Sequence, residues 1–394
     1  MKRAPLPISA FTVTSALGAG QAAHLAALLD GRTGLAPCAF GDVQLQGYVG
    51  EVPGVDAVQL PEALARYDCR NNRLAWLALQ QDGFADAARA ARERWGAARV
   101  AVLLGTSTSG ILQTELAYRR RDAAGALPAD FRYPETHNSS SVAAFVAEAL
   151  GLSGPAMVVS TACSSSAKVF ASAARLIEAG WADAAVVGGV DSLCLTTLYG
   201  FNSLELFSPE ICRPWDAKRR GLSLGEAGAY ALLEREAAAP EAWLLGSGES
   251  SDGHHMSSPH PEGAGAVAAM RQALDEAGLA PGQIDYINLH GTATPGNDAA
   301  EDRAVREVFG VDTPCSSTKG ATGHTLGAAG AVEAALCVIA LQQGLMPGGL
   351  HLDERDPALQ ANYLGRNRHA PLHTVLSNSF GFGGSNASLV LGAA

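Results

Sequence analysis

The chain has 394 residues, 47% hydrophobic and 17% charged, which excludes intrinsic disorder; its 44 Gly and 19 Pro follow no three-residue period, which excludes a collagen-like rod. A formal charge of −11, from 28 Lys+Arg against 39 Asp+Glu, lacks the basic surface a phosphate backbone requires, so nucleic acid is not an expected partner. The length suffices for a core without disulfides or structural metals.

The opening segment MKRAPLPISAFTVTSALGAG carries two basic residues, but Pro5 and Pro7 interrupt any apolar run of signal-peptide length, which predicts a mature cytoplasmic protein. No stretch is expected to serve as a span of roughly 20 apolar residues. Short Val/Leu/Ile-rich runs at 99–106, 157–160, 184–188, 229–233, 284–289 and 388–391 read as strands buried on both faces. Between several of them, Ala-rich stretches with helical spacing predict helices over 138–150, 165–179, 263–277, 298–309 and 326–343. Alternating helices and buried strands define an α/β protein. The run REAAAPEAW at 235–243 separates two strands and predicts a boundary between halves 1–238 and 239–394, with no flexible linker in between.

Each half holds a Gly/Ser/Thr-rich loop with a reactive side chain. In VVSTACSSSAKVF, a strand runs directly into a helix, which places Cys163 at a helix N-terminus where the dipole favours a thiolate and free N–H groups can hold an oxyanion. A Cys among small residues is equally a tight packing site, and context must decide. In NLHGTATPGNDAAE, a strand delivers His290 into a turn carrying Thr292 and Thr294. SSTKGATGHTLGAAG sets Lys319 and His324 in a loop before a long helix, where a neutral imidazole that donates a hydrogen bond is expected. SNSFGFGGSNAS reads as a tight turn before the last strand. The seven cysteines (38, 69, 163, 194, 212, 315 and 337) show no CxxC or Cys/His ligand spacing, so a reducing compartment and no metal are expected. A cysteine with two histidines and a lysine suggests acyl transfer through a thioester.

TACSSS at 161–166, HGTATPGND at 290–298, KGATGH at 319–324 and NSFGFGGSN at 378–386 stand in the order and spacing of one family. Over essentially its whole length the chain resembles the elongating β-ketoacyl–acyl-carrier-protein synthases of the thiolase superfamily. The resemblance implies a thiolase-like fold, two similar α/β halves in a five-layered α-β-α-β-α arrangement, usually as a homodimer. It implies that Cys163 takes an acyl group from a carrier's phosphopantetheine arm, that His290 and His324 bind the malonyl thioester and assist decarboxylation, and that Lys319 positions this site with Glu301 as its carboxylate partner. By the same resemblance the N–H groups of Cys163 and Phe382 form the oxyanion hole, Phe382 is a gate beside Phe380, and Thr292 and Thr294 hold the pantetheine amides. Thr108 matches a chain-length-limiting pocket position, and Asn288, Glu333, Ser377 and Asn378 match a monovalent-cation site seen in some members. No cofactor is implied beyond the carrier's arm.

Initiating synthases use Cys-His-Asn and thiolases a second catalytic Cys, and the two histidines disfavour both. A chain-length-factor-like partner subunit is the non-enzymatic alternative; such subunits usually lack the nucleophile. Segments 191–208 and 219–229 are less typical of housekeeping enzymes, which brings polyene or polyketide synthesis into view beside fatty-acid synthesis. Acyl carrier protein is the expected partner, and a homologous subunit could replace the second copy. Carriers are acidic, so Arg66/Arg70/Arg73, Arg119–Arg121 and Arg213 with Lys218–Arg220 are candidate docking clusters.

Overall fold

The computed structural model describes residues 3–394. Its N-terminal half contributes strands β1 (Leu6–Ser15), β2 (Val100–Gly105), β3 (Ala156–Val159), β4 (Ala184–Asp191) and β5 (Ala227–Glu234). The C-terminal half contributes β6 (Ala242–Ser251), β7 (Tyr286–Asn288), β8 (Pro314–Ser316), β9 (Thr374–Gly381) and β10 (Ser385–Ala393). Eight helices frame them: α1 (Arg70–Leu79), α2 (Phe84–Trp95), α3 (Ser141–Leu150), α4 (Ser165–Glu178), α5 (Leu195–Ser203), α6 (Ala264–Ala277), α7 (Pro295–Phe309) and α8 (Ala329–Gln343).

The strands run β3-β2-β4-β5-β1-β6-β10-β9-β7-β8, with a short Asn362–Tyr363 strand beyond β8. Each half therefore repeats one arrangement. β2 is parallel to β3 and β4 as β7 is to β8 and β9, while β5 is antiparallel to β4 and β1 as β10 is to β9 and β6. The halves meet where β1 pairs antiparallel with β6, Leu6 opposite Leu244 and Ile8 opposite Ala242.

Between the two halves lie α4 and α8, packed on each other and on both sheets through Phe170, Ala174, Leu336 and Ala340. Helices α1, α2 and α3 cover the outer face of the N-terminal sheet, and α6 and α7 that of the C-terminal sheet. These are the five expected layers. A central layer is buried on every side, so its helices cannot be amphipathic: thirteen of the fifteen residues of α8 are buried. That burial also explains a departure from the sequence reading. The segment Leu326–Gln343 is long and apolar enough to cross a membrane, but 89% of it is enclosed in the protein core.

Three strands, β1, the short β8 and β9, escaped the sequence patterns. In β1, LPISAFTVTS mixes Ser and Thr with apolar residues and contains Pro7, yet the strand lies in the middle of the sheet; a break in register between Ile8 and Ala10 lies beside the proline. The segment SNSFGFGGSNAS at 377–388, read as a tight turn, is for the most part strand, because Ser377–Gly381 pair with Ser385–Leu389 of β10 and only Phe382–Gly384 form the turn.

Candidate active site

Cys163 stands at the strand-to-helix junction the sequence indicates. Between β3 and α4, Ala162 adopts φ 52°, a left-handed conformation uncommon for a residue with a Cβ, and Cys163 follows it, one residue before the helix cap Ser164. Ser165 Oγ holds this bend by accepting from the Thr161 N–H at 2.9 Å and donating to the Ala162 carbonyl at 2.5 Å. Gly105 of β2 is required beneath it, since a Cβ there would lie 2.3 Å from the Ser166 nitrogen.

The histidines arrive from the other half. His290 follows β7, and its N–H and that of Gly291 each donate to Glu301 of α7 at 2.8 Å. His324 follows the short helix Lys319–Thr322, and its N–H donates to the Ser223 carbonyl at 2.7 Å. The result is that His324 Nε2 lies 2.9 Å from Cys163 Sγ, and the two imidazoles meet edge to face with centroids 5.3 Å apart. A ligand atom from each of the three side chains falls within 4.8 Å of the others. Nδ1 of both rings is buried without a hydrogen-bond partner. An orphaned lone pair costs less than an orphaned N–H, which assigns the His324 proton to Nε2, aimed at the sulfur.

Burial, with the Lys319 charge second, pushes both histidines well below their ordinary range, so both are neutral. The expected neutral state of His324 holds, but its causes are desolvation and Lys319. The expected resting thiolate does not hold. Burial pushes the Cys163 thiol up to about 12, against the pull of Lys319 and the Phe382 N–H, so it rests protonated. Lys319 Nζ is hydrogen-bonded to Glu333 of α8 as a buried ion pair. That corrects the assignment of Glu301 as the partner of Lys319: Glu301 instead braces the His290–Gly291 backbone.

Two cavities converge on the thiol. A narrow one of about 60 Å³ is lined by His290, His324, Thr292, Thr294, Phe380 and Phe382, with the Thr292 and Thr294 hydroxyls 2.9 Å apart. A larger one of about 550 Å³ opens on the other side of Cys163, between Ser107, Phe201, Leu204, Leu326 and Phe382. Phe382 separates the two, its ring packed on Phe201 with centroids 5.5 Å apart. Thr108 lines neither. Its hydroxyl is turned away to Asp191 at 2.7 Å, and Ser107 takes the wall position instead.

The family models of the β-ketoacyl synthase N-terminal domain and C-terminal domain match residues 62–239 and 241–353. The chain belongs to the β-ketoacyl synthase family. It is 32% identical over 389 residues to 3-oxoacyl-[acyl-carrier-protein] synthase 2 of Synechocystis, with 92% of this chain and 91% of that protein covered. It is 41% identical over 261 residues to the mitochondrial 3-oxoacyl-[acyl-carrier-protein] synthase of Arabidopsis thaliana; that match covers 61% of this chain and 57% of the relative's length. Among solved structures, a ketosynthase in complex with its chain length factor from Xenorhabdus doucetiae superposes with a TM-score of 0.91 at 39% identity, covering 99% of this chain and 98% of that one. The family is one of acyl-transferring condensing enzymes of fatty-acid or polyketide synthesis.

Of the candidate cation ligands of this β-ketoacyl synthase, three fit. Asn288 and Ser377 face each other in register on β7 and β9, and Asn288 Oδ1, Ser377 Oγ and Glu333 Oε2 are buried without hydrogen-bond partners. Asn378 does not fit, because its Oδ1 already accepts from Ser388 Oγ at 2.7 Å and its amide donates to Glu301.

The docking clusters are mostly neutralised. Arg70 is buried and bidentate on Glu226, Arg66 pairs with Glu148, Arg73 with Asp68, Arg119 with Asp42 and Arg120 with Asp130. Arg213 pairs with Asp353, Arg219 with Asp298 and Asp356, and Arg220 with Glu210. Sequence spacing put Arg70 on a surface that the fold closes. Missed entirely by motif reading was the wall that α5 gives the large cavity, although it falls within the atypical segment 191–208.

Proposed function

We propose that this chain is the catalytic subunit of a carrier-protein-dependent ketosynthase that performs decarboxylative Claisen condensation. One observation carries the reading: a thiol 2.9 Å from a neutral histidine, with a second neutral histidine beside it, at the junction of a narrow channel and a roomy cavity.

The acyl arm enters past Thr292 and Thr294, and Cys163 sulfur attacks its thioester carbonyl. The Cys163 and Phe382 N–H groups hold the oxyanion, the carrier's thiolate leaves with the cysteine proton, and the acyl chain lies in the large cavity. No strong base is required for this exchange. Malonyl carrier then places its thioester oxygen on the two histidines. The bond to its carboxylate breaks, CO2 leaves, and the electron pair becomes an enolate that donors positioned in a dry site stabilise. The enolate carbon attacks the Cys163 thioester, its carbon–sulfur bond breaks, and the departing cysteine thiolate takes up a proton from solvent as the β-ketoacyl carrier forms. Asn288, Glu333 and Ser377 would hold a monovalent cation, whose charge would offset that of the Glu333 carboxylate.

The partner is proposed to be a homologous, chain-length-factor-like subunit rather than a second copy. Support comes from the 39% identity to the Xenorhabdus ketosynthase, solved with its chain length factor, and from an open acyl cavity whose rim residue Ser160 directly follows edge strand β3. Met157 on β3 and Leu204 at the cavity lining are exposed apolar side chains. The carrier docks near Lys218, an exposed cation without a carboxylate partner among the described residues, on the loop whose Gly221 N–H binds the Ala293 carbonyl beside the two threonines. All seven cysteines are free thiols, which accords with a reducing, cytoplasmic setting.

Intact-mass analysis after incubation with acyl carriers, then malonyl carrier, tests the reading, with and without co-expressed candidate partner subunits. A Cys163 adduct that is lost in Cys163→Ala, followed by a product two carbons longer, is the expected result. Loading that survives Cys163→Ala refutes it, and a stable, fully active homodimer refutes the heterodimer.

A further inference from the structure

Asp191, at the end of β4, is wholly buried and none of the steps above uses it. Its Oδ1 accepts from the Thr106 hydroxyl at 2.6 Å, the Ser107 N–H at 2.8 Å, the Thr108 N–H at 2.8 Å and the Thr108 hydroxyl at 2.7 Å. Its Oδ2 accepts from the Gly327 N–H at 2.5 Å and from the Ser107 N–H again at 3.0 Å. No basic side chain pairs with it among the described residues; burial pushes the carboxyl above its ordinary range, and only hydroxyl and backbone N–H dipoles, in six hydrogen bonds that all require acceptor oxygens, oppose that push. Such a carboxylate is costly to bury, and its donors come from two chain segments that meet nowhere near each other in sequence.

Those two segments frame the nucleophile. The 106–109 loop reaches the Cys163 bend through Ser107 Oγ, which donates to the Ala162 carbonyl at 3.4 Å. Gly327 lies three residues beyond His324, next to Leu326, which is held at φ 53°. Ser107 and Leu326 both line the large cavity. Gly327 is fitted to the carboxylate, since a Cβ there would lie 2.7 Å from Asp191 Oδ2 and 2.8 Å from the Ser107 nitrogen.

We propose that ionised Asp191 is a positioning residue that ties the His324 segment to the Ser107 loop, setting both the aim of His324 at Cys163 and the shape of the acyl cavity. The assignment deepens the condensing reading and rests on it. An asparagine would keep one acceptor oxygen but turn an amide NH2 toward the Gly327 or Ser107 N–H. The two segments would then part.

The test uses Asp191→Asn, Gly327→Ala and the double variant in the purified chain with its partner subunit. Both singles are expected to slow malonyl decarboxylation roughly tenfold or more through kcat, with KM for malonyl carrier within about twofold, because a small misplacement of a reacting group is paid in rate. Loading of long acyl groups should fall more than loading of acetyl. The double should be no worse than the worse single, since both changes break one contact. Iodoacetamide alkylation of Cys163 against pH gives a readout independent of condensation: Asp191→Asn removes a negative charge that faces the thiol, so its profile should move to lower pH. Parent-like kinetics with an unmoved alkylation profile in folded Asp191→Asn overturns the proposal, as does full additivity in the double. If Asp191→Asn does not fold, Gly327→Ala with parent-like decarboxylation and acyl preference overturns it by itself. A parent protein that loads no carrier overturns the condensing reading, while the alkylation profiles still decide the placement of Asp191.

Discussion

Glu333→Gln should destabilise the protein by about 3–5 kcal/mol, the usual cost of stripping one partner from a buried ion pair. Lys319 and Glu333 face each other in the central layer with side chains 1% and 3% exposed, so water cannot replace the lost charge. The glutamine carbonyl still accepts one hydrogen bond from Nζ, but the ammonium is left without countercharge. At about 2.1 cal/mol/K of unfolding entropy per residue, a chain of 394 residues gives ~0.8 kcal/mol/K, so the melting temperature should fall by about 4–6 °C. Replacing both partners by apolar residues of similar volume, Lys319→Met with Glu333→Leu, should cost far less, about 1 kcal/mol, because no unpaired charge remains. Thermal melts of the three variants at one pH, followed by tryptophan fluorescence, compare the two quantities. A Glu333→Gln melt within about 1 °C of the parent, or a double variant that melts below the single, would refute the reasoning.

Lys319→Met removes the positive charge that holds the Cys163 thiol down, so alkylation at fixed pH should slow; acceleration would show that the charge does not reach the sulfur. With the thiol near 12, the parent's alkylation rate should climb about tenfold per pH unit from pH ~7 to ~10 without a plateau. A plateau at pH ~8 would mean that the helix N-terminus outweighs burial. Gly105→Ala drives a Cβ to within 2.3 Å of the Ser166 nitrogen, so α4 must shift on β2, and acyl loading of Cys163 should be lost even where the variant stays folded. Wild-type loading in this variant would show that the bend is not set by that contact. Met157→Arg places a charge on exposed edge strand β3 and should abolish pairing with any partner subunit, read by light scattering. An intact dimer would move the interface elsewhere.

Much of the site was legible because its pieces are local. Cys163 at a strand-to-helix junction, His290 after a strand and His324 before a long apolar helix each follow from a dozen contiguous residues, whose periodicity specifies the elements and whose glycines specify the turns. The alternation of buried strands and helices likewise announced two α/β halves, and the order of the strands then repeats from one half to the other. What adjacency could not convey was which side chain faces which. The resemblance gave Lys319 the partner Glu301 and set Glu333 among the cation ligands, but the packing of α8 in the central layer brings Glu333 to Lys319, whereas α7 turns Glu301 to the His290 backbone.

Burial decided the rest. A helix N-terminus argues for a thiolate, but desolvation of the same sulfur in the closed core outweighs it. Helical spacing placed Arg70 on a surface, and the fold buried it against Glu226. Thr108, assigned to the pocket, is drawn to Asp191, and the pocket wall passes to Ser107, Leu326 and the residues of α5. Sequence by itself determined most of the elements that carry the site, the reactive groups and the family, because hydrophobic period, turn chemistry and motif spacing are properties of neighbouring residues. Tertiary structure alone decided the charge states, the ion pairs and the shape of the acyl cavity, because desolvation and hydrogen-bond partners depend on which distant segments close over a group.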